Sequence, residues 1–422
     1  MQARFGLNNY SSCASNDGFI IILMTSSDNL PKSAPITMSS PDLTDDERRA
    51  VARVLATPNL SMGSQITAFE ESVRSYTGSQ HAIGVSSGTA GLHLCVRAAG
   101  IQVGDLVITT PFSFVASANV LLYEGAVPVF VDVEPRTGNI DPHLVFAATQ
   151  DIMQGGKNAQ AWLPPKGASV ESKLRAILPV DVFGQPADLE PILNTAWKYK
   201  LKVIEDSCEA LGAAYKGHPA GSLGDYGVFG FYPNKQITTG EGGMVITDEA
   251  EAAALMRALR NQGRAPGDTW LQHTHLGYNY RLDEMSAALG VIQMQRLDQL
   301  ISKRDQVAEW YNQRISEIPG IEAPTIAKYT TQMSWFVYVV RFAPGLDRDT
   351  IATKLGALGI PARPYFLPIH LQPYMVERFG YQEGTFPVTE DLGRRGLALP
   401  FSGVMDEGQV ERVCQALGEV IL

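Results

Sequence analysis

Apolar positions along this chain come in two rhythms that take turns. Stretches with one apolar face at helical spacing, at about 45–56, 67–76, 90–99, 114–123 and 188–199, alternate with short unbroken apolar runs at about 82–85, 106–109, 128–131, 176–180, 202–205, 227–231 and 243–247. Unbroken apolar runs of this length read as strands buried on both faces, and the helices between them supply the crossovers that parallel neighbours require. The pattern predicts an α/β fold: a largely parallel sheet covered by helices on both sides. A long helix is expected from about Leu282 to Ile318, with a break near its middle. After Pro319-Gly320 comes a smaller α+β portion that opens with a strand from Ser334 to Phe342. On this reading residues 1–35 are a poorly ordered extension, 36–298 a large domain and 299–422 a C-terminal small domain.

Two segments interrupt the rhythm. Phe19-Ile20-Ile21-Ile22-Leu23-Met24 is apolar but too short to span a bilayer, and Arg4 with Asp17 makes a poor signal-peptide start. Met24 and Met38 are alternative starts, and the folded body is expected to open with Thr44 as an N-cap and Glu47 as its capping-box partner. Residues 150–173, with Gly155-Gly156 and Pro164-Pro165, read as a long polar loop, either a flap near a substrate or an inert surface insertion.

Composition narrows the function classes. Of 422 residues, 45% are hydrophobic and 18% charged, as in ordinary globular proteins with a sizeable core. A net charge of −10 opposes nonspecific binding to nucleic acid or membrane surfaces. Cys13, Cys95, Cys208 and Cys414 lie far apart and have no metal-ligand spacing, which suits a reducing cytoplasm and no metal.

Three local patterns carry chemistry. Lys235 stands in Phe229-Gly230-Phe231-Tyr232-Pro233-Asn234-Lys235-Gln236-Ile237-Thr238-Thr239-Gly240-Glu241-Gly242-Gly243, aromatic and Gly-rich surroundings that predict a buried amine. A buried amine tends to lose its proton or to condense with a carbonyl cofactor such as pyridoxal phosphate; the alternative is a surface Lys at a loop tip. Asp206 ends the apolar run Leu201-Lys202-Val203-Ile204-Glu205-Asp206, at the strand end where open α/β folds collect functional groups. It could keep a pyridine nitrogen protonated, or simply cap a following helix. Ala82-Ile83-Gly84-Val85, Ser86-Ser87-Gly88-Thr89 and the stretch from Ala90 read as strand, turn and helix, which makes either an anion site or an ordinary capped turn. No Gly-x-Gly-x-x-Gly turn follows the first strand, which argues against a nicotinamide oxidoreductase.

Together with Val203–Ala210 and Gly277-Tyr278-Asn279-Tyr280-Arg281, these stretches make the chain resemble the DegT/DnrJ/EryC1/StrS family of pyridoxal-phosphate-dependent sugar aminotransferases over about residues 36–422. The resemblance implies fold type I of these transferases, the aspartate aminotransferase-like fold, with the cofactor in the large domain. It implies that Lys235 holds the cofactor as an imine, that Asp206 faces the pyridine nitrogen, that Gly88 and Thr89 hold the phosphate and that Phe114 lies flat on the ring. Asn279 matches a residue that reaches the phosphate from a neighbouring subunit, so a homodimer with shared active sites is expected. Glu209 falls where the family carries Gln, Glu or His near the cofactor's phenolic oxygen; the alternative is a solvated helix residue. Where many members have a phosphate-binding Ser, this chain has Gly230. Members that dehydrate their substrate have His in place of the Lys, and Lys235 therefore argues for transamination.

Arg281, Tyr365 and His370 are candidate substrate contacts, the last two within Arg363-Pro364-Tyr365-Phe366-Leu367-Pro368-Ile369-His370. Arg281 reads equally as an inter-subunit ion pair and His370 as a satisfied interior histidine. The expected activity moves an amino group from an amino-acid donor such as L-glutamate to a nucleotide-linked keto sugar, in polysaccharide or deoxyamino-sugar biosynthesis. A related sugar dehydratase, an aminocyclitol transaminase and a noncatalytic cofactor-binding regulator are the rival readings.

Overall fold

The apolar runs become one seven-stranded sheet in a computed structural model that describes residues 35–265 and 267–421. Its strands are β1 (His81–Val85), β2 (Leu106–Thr109), β3 (Val127–Phe130), β4 (Leu174–Leu178), β5 (Lys202–Asp206), β6 (Tyr226–Gly230) and β7 (Gly243–Thr247). The spatial order is β1-β7-β6-β5-β4-β2-β3, and only β7 runs against its neighbours. The carboxyl ends of the other six share one edge of the sheet. Apart from Pro35, the expected N-terminal extension lies outside the described residues.

Helices cover both faces because successive strand residues are apolar in both directions. Val107, Leu178, Ile204 and Val228 pack toward α3 (Gly88–Ala98), α4 (Ala116–Tyr123) and α8 (Ala250–Arg260). Leu106, Ile108, Ile177 and Val203 face α5 (Pro142–Gln154) and α7 (Leu189–Tyr199). At the other end of that second face Ala82, Phe229 and Met244 meet α2 (Ser64–Thr77) and α9 (Glu284–Gln295). Burying a single Val, Leu or Ile side chain is worth roughly 1.5–3 kcal/mol, so the two apolar layers dominate the stability of this half. The α2 N-cap, Gly63, has no side chain to offer. The buried Glu284 carboxylate instead accepts the N–H groups of Gly63 (2.9 Å), Gln65 (2.7 Å) and Ile66 (3.1 Å).

The capping box forms as expected: Thr44 N donates to Glu47 Oε2 at 2.7 Å at the start of α1 (Asp45–Leu55). The long helix breaks at Arg296, between α9 and α10 (Leu297–Ile315); the Arg296 guanidinium leaves the helical rows to bind Asp42 (2.7 Å) and Glu47 (2.6 Å). Two expectations need correction. Residues 150–173 are not one loop: α5 runs to Gln154, Gly155 turns the chain with a φ of +74°, and α6 (Gly156–Trp162) follows. The expected strand at 334–342 begins only at Tyr338, since the backbone of 334–336 is bonded elsewhere.

The C-terminal portion holds a four-stranded antiparallel sheet of β8 (Ile321–Glu322), β9 (Tyr338–Phe342), β10 (Arg363–Pro364) and β11 (Gly396–Leu399), in the order β8-β9-β11-β10. It packs on α10 and the final helix, Glu407–Ile421. Ile36–Leu422 form a single compact unit, and the division expected at 298/299 falls in the first turn of α10. No helix among the described residues is long and apolar enough to cross a membrane.

Candidate active site

Four strand ends and one C-terminal segment enclose a cleft of about 660 Å³. Ser87, Gly88 and Thr89 reach it from the turn after β1, Phe114 from the turn after β2, Asp206 and Glu209 from the end of β5, and Lys235 from the turn after β6. Tyr365, Phe366 and Leu367 close it from the loop after β10.

Lys235 is fixed by its main chain and mostly buried. Its N–H donates to the Tyr232 carbonyl at 2.9 Å. Its Nζ lies 3.8 Å from the centre of the Phe336 ring and 3.5 Å from Glu209 Oε1. The loop-tip alternative is excluded by this burial. Glu209 is buried too and lies in a turn, so it is not a solvated helix residue. Its Oε2 accepts the N–H of Phe183 at 2.9 Å, a residue held at a φ of +61°. Burial raises the Glu209 pKa, and the Lys235 charge opposes part of that rise.

Asp206 is oriented from two sides. Ser117 on α4 donates to Oδ2 at 2.6 Å, and the Cys208 N–H donates to Oδ1 at 3.2 Å. Ser113 Oγ stands 3.1 Å from Ser117 Oγ. A turn, not a helix, follows Asp206, and the helix-capping alternative falls away.

Gly88 opens α3, with the Ser87 hydroxyl accepting the Ala90 N–H at 3.1 Å. The amides of a first helical turn lack intrahelical partners, and here that turn lines the cleft. The absence of a side chain is a steric requirement: a Cβ on Gly88 would stand 2.6 Å from Cys208 Sγ, and one on Gly243 would stand 2.6 Å from the Ser87 carbonyl carbon. Gly230, in contrast, has room for a Cβ, with its nearest neighbour at 3.4 Å. Burial, reinforced by the Asp206 charge, pushes the Cys208 thiol well up.

This donor set fits pyridoxal phosphate. It offers an amine for the aldehyde, a held carboxylate for the ring nitrogen, helix amides for the phosphate and the exposed Phe114 ring for the flat face. Among the described lining residues Lys235 is the one cation, against the carboxylates of Asp206, Glu209 and Glu241.

The other sequence candidates divide. Tyr365 lines the cleft, its pKa pushed up to about 12 by burial and by the Glu209 charge. Asn279 is exposed and off the cleft, and Arg281 donates to Asn261 Oδ1 (3.0 Å) and Gln262 Oε1 (3.3 Å) instead of entering it. His370 takes the interior alternative: its side chain is wholly buried, its Nε2 lies 3.0 Å from Glu390 Oε1, its ring packs edge-on against Phe386, and it does not line the cleft. Sequence reasoning missed Ser117, Phe336 and Cys208. Only Ser117 left a local signal, its place in the first turn of a helix four residues after Ser113.

Residues 41–418 match the model of the DegT/DnrJ/EryC1/StrS aminotransferase family. GDP-perosamine synthase of Caulobacter vibrioides is 37% identical over 391 residues, 92% of this chain and 98% of its own. UDP-4-amino-4-deoxy-L-arabinose–oxoglutarate aminotransferase of Shewanella sediminis is 31% identical over 405 residues, 92% and 98% of the two chains. Among solved structures, S. venezuelae DesV superposes with a TM-score of 0.81 at 31% identity, covering 92% of this chain and 98% of that one.

Proposed function

This chain belongs to the DegT/DnrJ/EryC1/StrS aminotransferase family, and from that premise we propose that it transfers an amino group from L-glutamate to a keto sugar carried on a nucleotide. It is a pyridoxal-phosphate-dependent aminotransferase of fold type I. Two relatives support the substrate class, one named for a GDP-linked and one for a UDP-linked amino sugar, and the second name includes oxoglutarate, the keto partner of glutamate. One observation carries the reading: the Lys235 amine and the Asp206 carboxylate open into the same cleft as the head of α3.

Bound pyridoxal phosphate supplies an electron sink, which lets a proton leave the carbon that bears the amino group. Ser87, Gly88 and Thr89 would hold its phosphate at the start of α3, and Lys235 Nζ its aldehyde. Asp206, held by Ser117, would keep the ring nitrogen protonated, because a carboxylate beside it favours the charged form. Phe114 would fix the ring plane. Lys235 Nζ, once released, takes the proton from one reacting carbon and returns it to the other, a task for an uncharged amine. Glu209, whose Oε1 lies 3.5 Å from that amine, would balance its charge when it is protonated.

The cleft's shortage of cations supports a homodimer. A phosphate and a sugar-linked diphosphate need partners beyond Lys235, and the exposed Asn279 and the half-buried Arg281, which bonds only neutral side chains of its own subunit, could turn to a second copy's cleft. Unpaired Cys95, Cys208 and Cys414 suit a reducing cytoplasm.

The test is a visible absorption scan of protein reconstituted with pyridoxal phosphate, before and after L-glutamate, followed by product analysis with nucleotide-linked keto sugars. The wild type should absorb in the visible and lose that band with glutamate. Lys235→Ala should lack the band and lose turnover by roughly 10²–10⁴-fold or more, the range that general acid–base groups contribute. Retained turnover in Lys235→Ala would reject the assignment, and a band that glutamate leaves unchanged would favour the noncatalytic regulator.

A further inference from the structure

Behind Lys235 lies a buried cation without a counterion. Arg304 of α10 is buried, and no carboxylate among the described residues forms an ion pair with it. Burial brings its pKa down to about 10. All its observed hydrogen bonds go to main-chain carbonyls. Nη1 donates to Trp335 (3.0 Å) and Phe336 (3.3 Å), and Nη2 to Asn234 (3.2 Å) and Lys235 (2.6 Å). A second fastening runs beside it: Gln236 Nε2 donates to the carbonyls of Ser334 (2.6 Å) and Glu209 (2.5 Å). An apolar side chain could fill the same volume with no charge to desolvate, so the guanidinium needs a reason. The geometry supplies one. The planar fork joins the turn that carries Lys235 to the segment that carries Phe336, whose ring lies 3.8 Å from Lys235 Nζ.

We propose that Arg304 is a positioning residue for amino transfer, fixing the Lys235 main chain and the Phe336 ring as one unit so that the amine swings from a fixed pivot beside an aromatic face. This rests on the reading that Lys235 is the reacting amine. Arg304 does not line the cleft, so substrates do not touch it and its effect falls on the proton-moving step. A displacement of about 1 Å at a reacting group can cost around 100-fold in rate. Lysine keeps a charge and three donors but not the fork, and restores only part of the bridge.

The experiment uses full-length enzyme reconstituted with pyridoxal phosphate and assayed with L-glutamate and a nucleotide-linked keto sugar, for wild type, Arg304→Met, Arg304→Lys and Phe336→Leu. Arg304→Met should lower kcat by roughly 100-fold and leave both KM values within about threefold. Arg304→Lys should recover part of that loss. In cofactor-free protein, hydrogen exchange should rise in the peptides spanning 232–238 and 333–338 for Arg304→Met. Phe336→Leu leaves the buried charge in place, should lower kcat in the same direction, and decides the matter if Arg304→Met does not fold. The inference is overturned by wild-type kcat in Arg304→Met, or in Phe336→Leu where that variant alone folds. It is equally overturned by a loss confined to KM, or by Arg304→Lys performing no better than Arg304→Met. A wild type without the visible band would sink the Lys235 reading itself; a normal band with indifferent Arg304 variants would sink this inference alone.

Discussion

Replacing Gly88 by Ala isolates the phosphate turn. The added Cβ would meet Cys208 Sγ at 2.6 Å, Gly230 Cα at 3.4 Å and Cys208 Cβ at 3.7 Å. Carbon and sulfur settle near 3.5–4.0 Å, so the sulfur contact is about 1 Å too close and either the thiol or the turn must move. Overpacking of this kind costs about 1–3 kcal/mol, and the helix gains back about 0.5–1 kcal/mol from exchanging Gly for Ala, which leaves a net loss of global stability of up to about 2.5 kcal/mol. Cofactor affinity is where the effect should appear. Losing one charge-assisted amide bond to the phosphate forfeits about 1.5–3 kcal/mol, or roughly 10- to 150-fold in Kd. Cys208→Ala removes the sulfur, and the nearest remaining atom is then the Gly230 Cα at 3.4 Å, an ordinary contact. In a titration of cofactor-free protein with pyridoxal phosphate, Gly88→Ala should bind at least tenfold more weakly, and adding Cys208→Ala should return affinity to within about threefold of wild type. A Gly88→Ala variant that binds normally, or a double variant that stays weak, would refute the claim that this turn holds the phosphate against the Cys208 thiol.

Gly230→Ser makes the converse change: its Cβ would rest 3.4–3.7 Å from Cys208 atoms, so the hydroxyl can enter the cleft without strain and should tighten cofactor binding by roughly tenfold, as one charged hydrogen bond less its ordering entropy. Unchanged or weaker binding in the same titration would place the phosphate elsewhere. Glu47 gives a pH prediction. Its burial alone would raise the pKa, but hydrogen bonds from Thr44, Arg296 and Gln293 outweigh that and bring it down to about 2. A depressed folded-state value contributes stability that is complete above the ordinary value of 4.5 and is lost as pH falls through about 2. The stability gap between wild type and Glu47→Gln, up to roughly 3 kcal/mol near neutrality, should shrink steadily in urea melts from pH 5 to pH 2; a gap independent of pH would contradict it.

What the sequence disclosed follows from the range of the interactions involved. Strands β2 and β7 coincide with the apolar runs at 106–109 and 243–247, since a strand buried on both faces must be apolar throughout. Lys235, Asp206 and the Gly88 turn were legible because each stands at the end of such a run, where the local pattern already implies a site. Phe336 and Arg304 were not legible: they meet Lys235 across 101 and 69 residues of chain, and nothing near them in sequence reports it. His370 stayed open between substrate contact and interior for the same reason, its partner Glu390 lying 20 residues on. At 150–173 the paired glycines suggested a loop, whereas Gly155, at a positive φ, joins two helices directly.

Strand order explains why pieces so far apart in sequence meet. β1 is an edge strand, yet the chain leaves it through α3 and re-enters the sheet at β2, next to the opposite edge. α3 must therefore cross the sheet, and its side chains pack on β5, β6 and β7 as well as β1. Its first turn then lies over the ends of β5 and β6, where Gly88 meets Cys208 and Gly230. The antiparallel β7 begins under that turn, and this is why Gly243, whose Cβ would strike the Ser87 carbonyl, has no side chain. With β7 reversed, the chain reaches β7 from the Lys235 turn at the same edge, so the turn that bears the amine and the turn proposed to hold the phosphate are adjacent through topology alone. Inserting a residue between Gly242 and Gly243 should shift the β7 register by one place, turn Val245 and Met244 to the wrong faces and separate the two turns; an insertion variant that still binds pyridoxal phosphate as tightly as wild type would show that the register does not set the site.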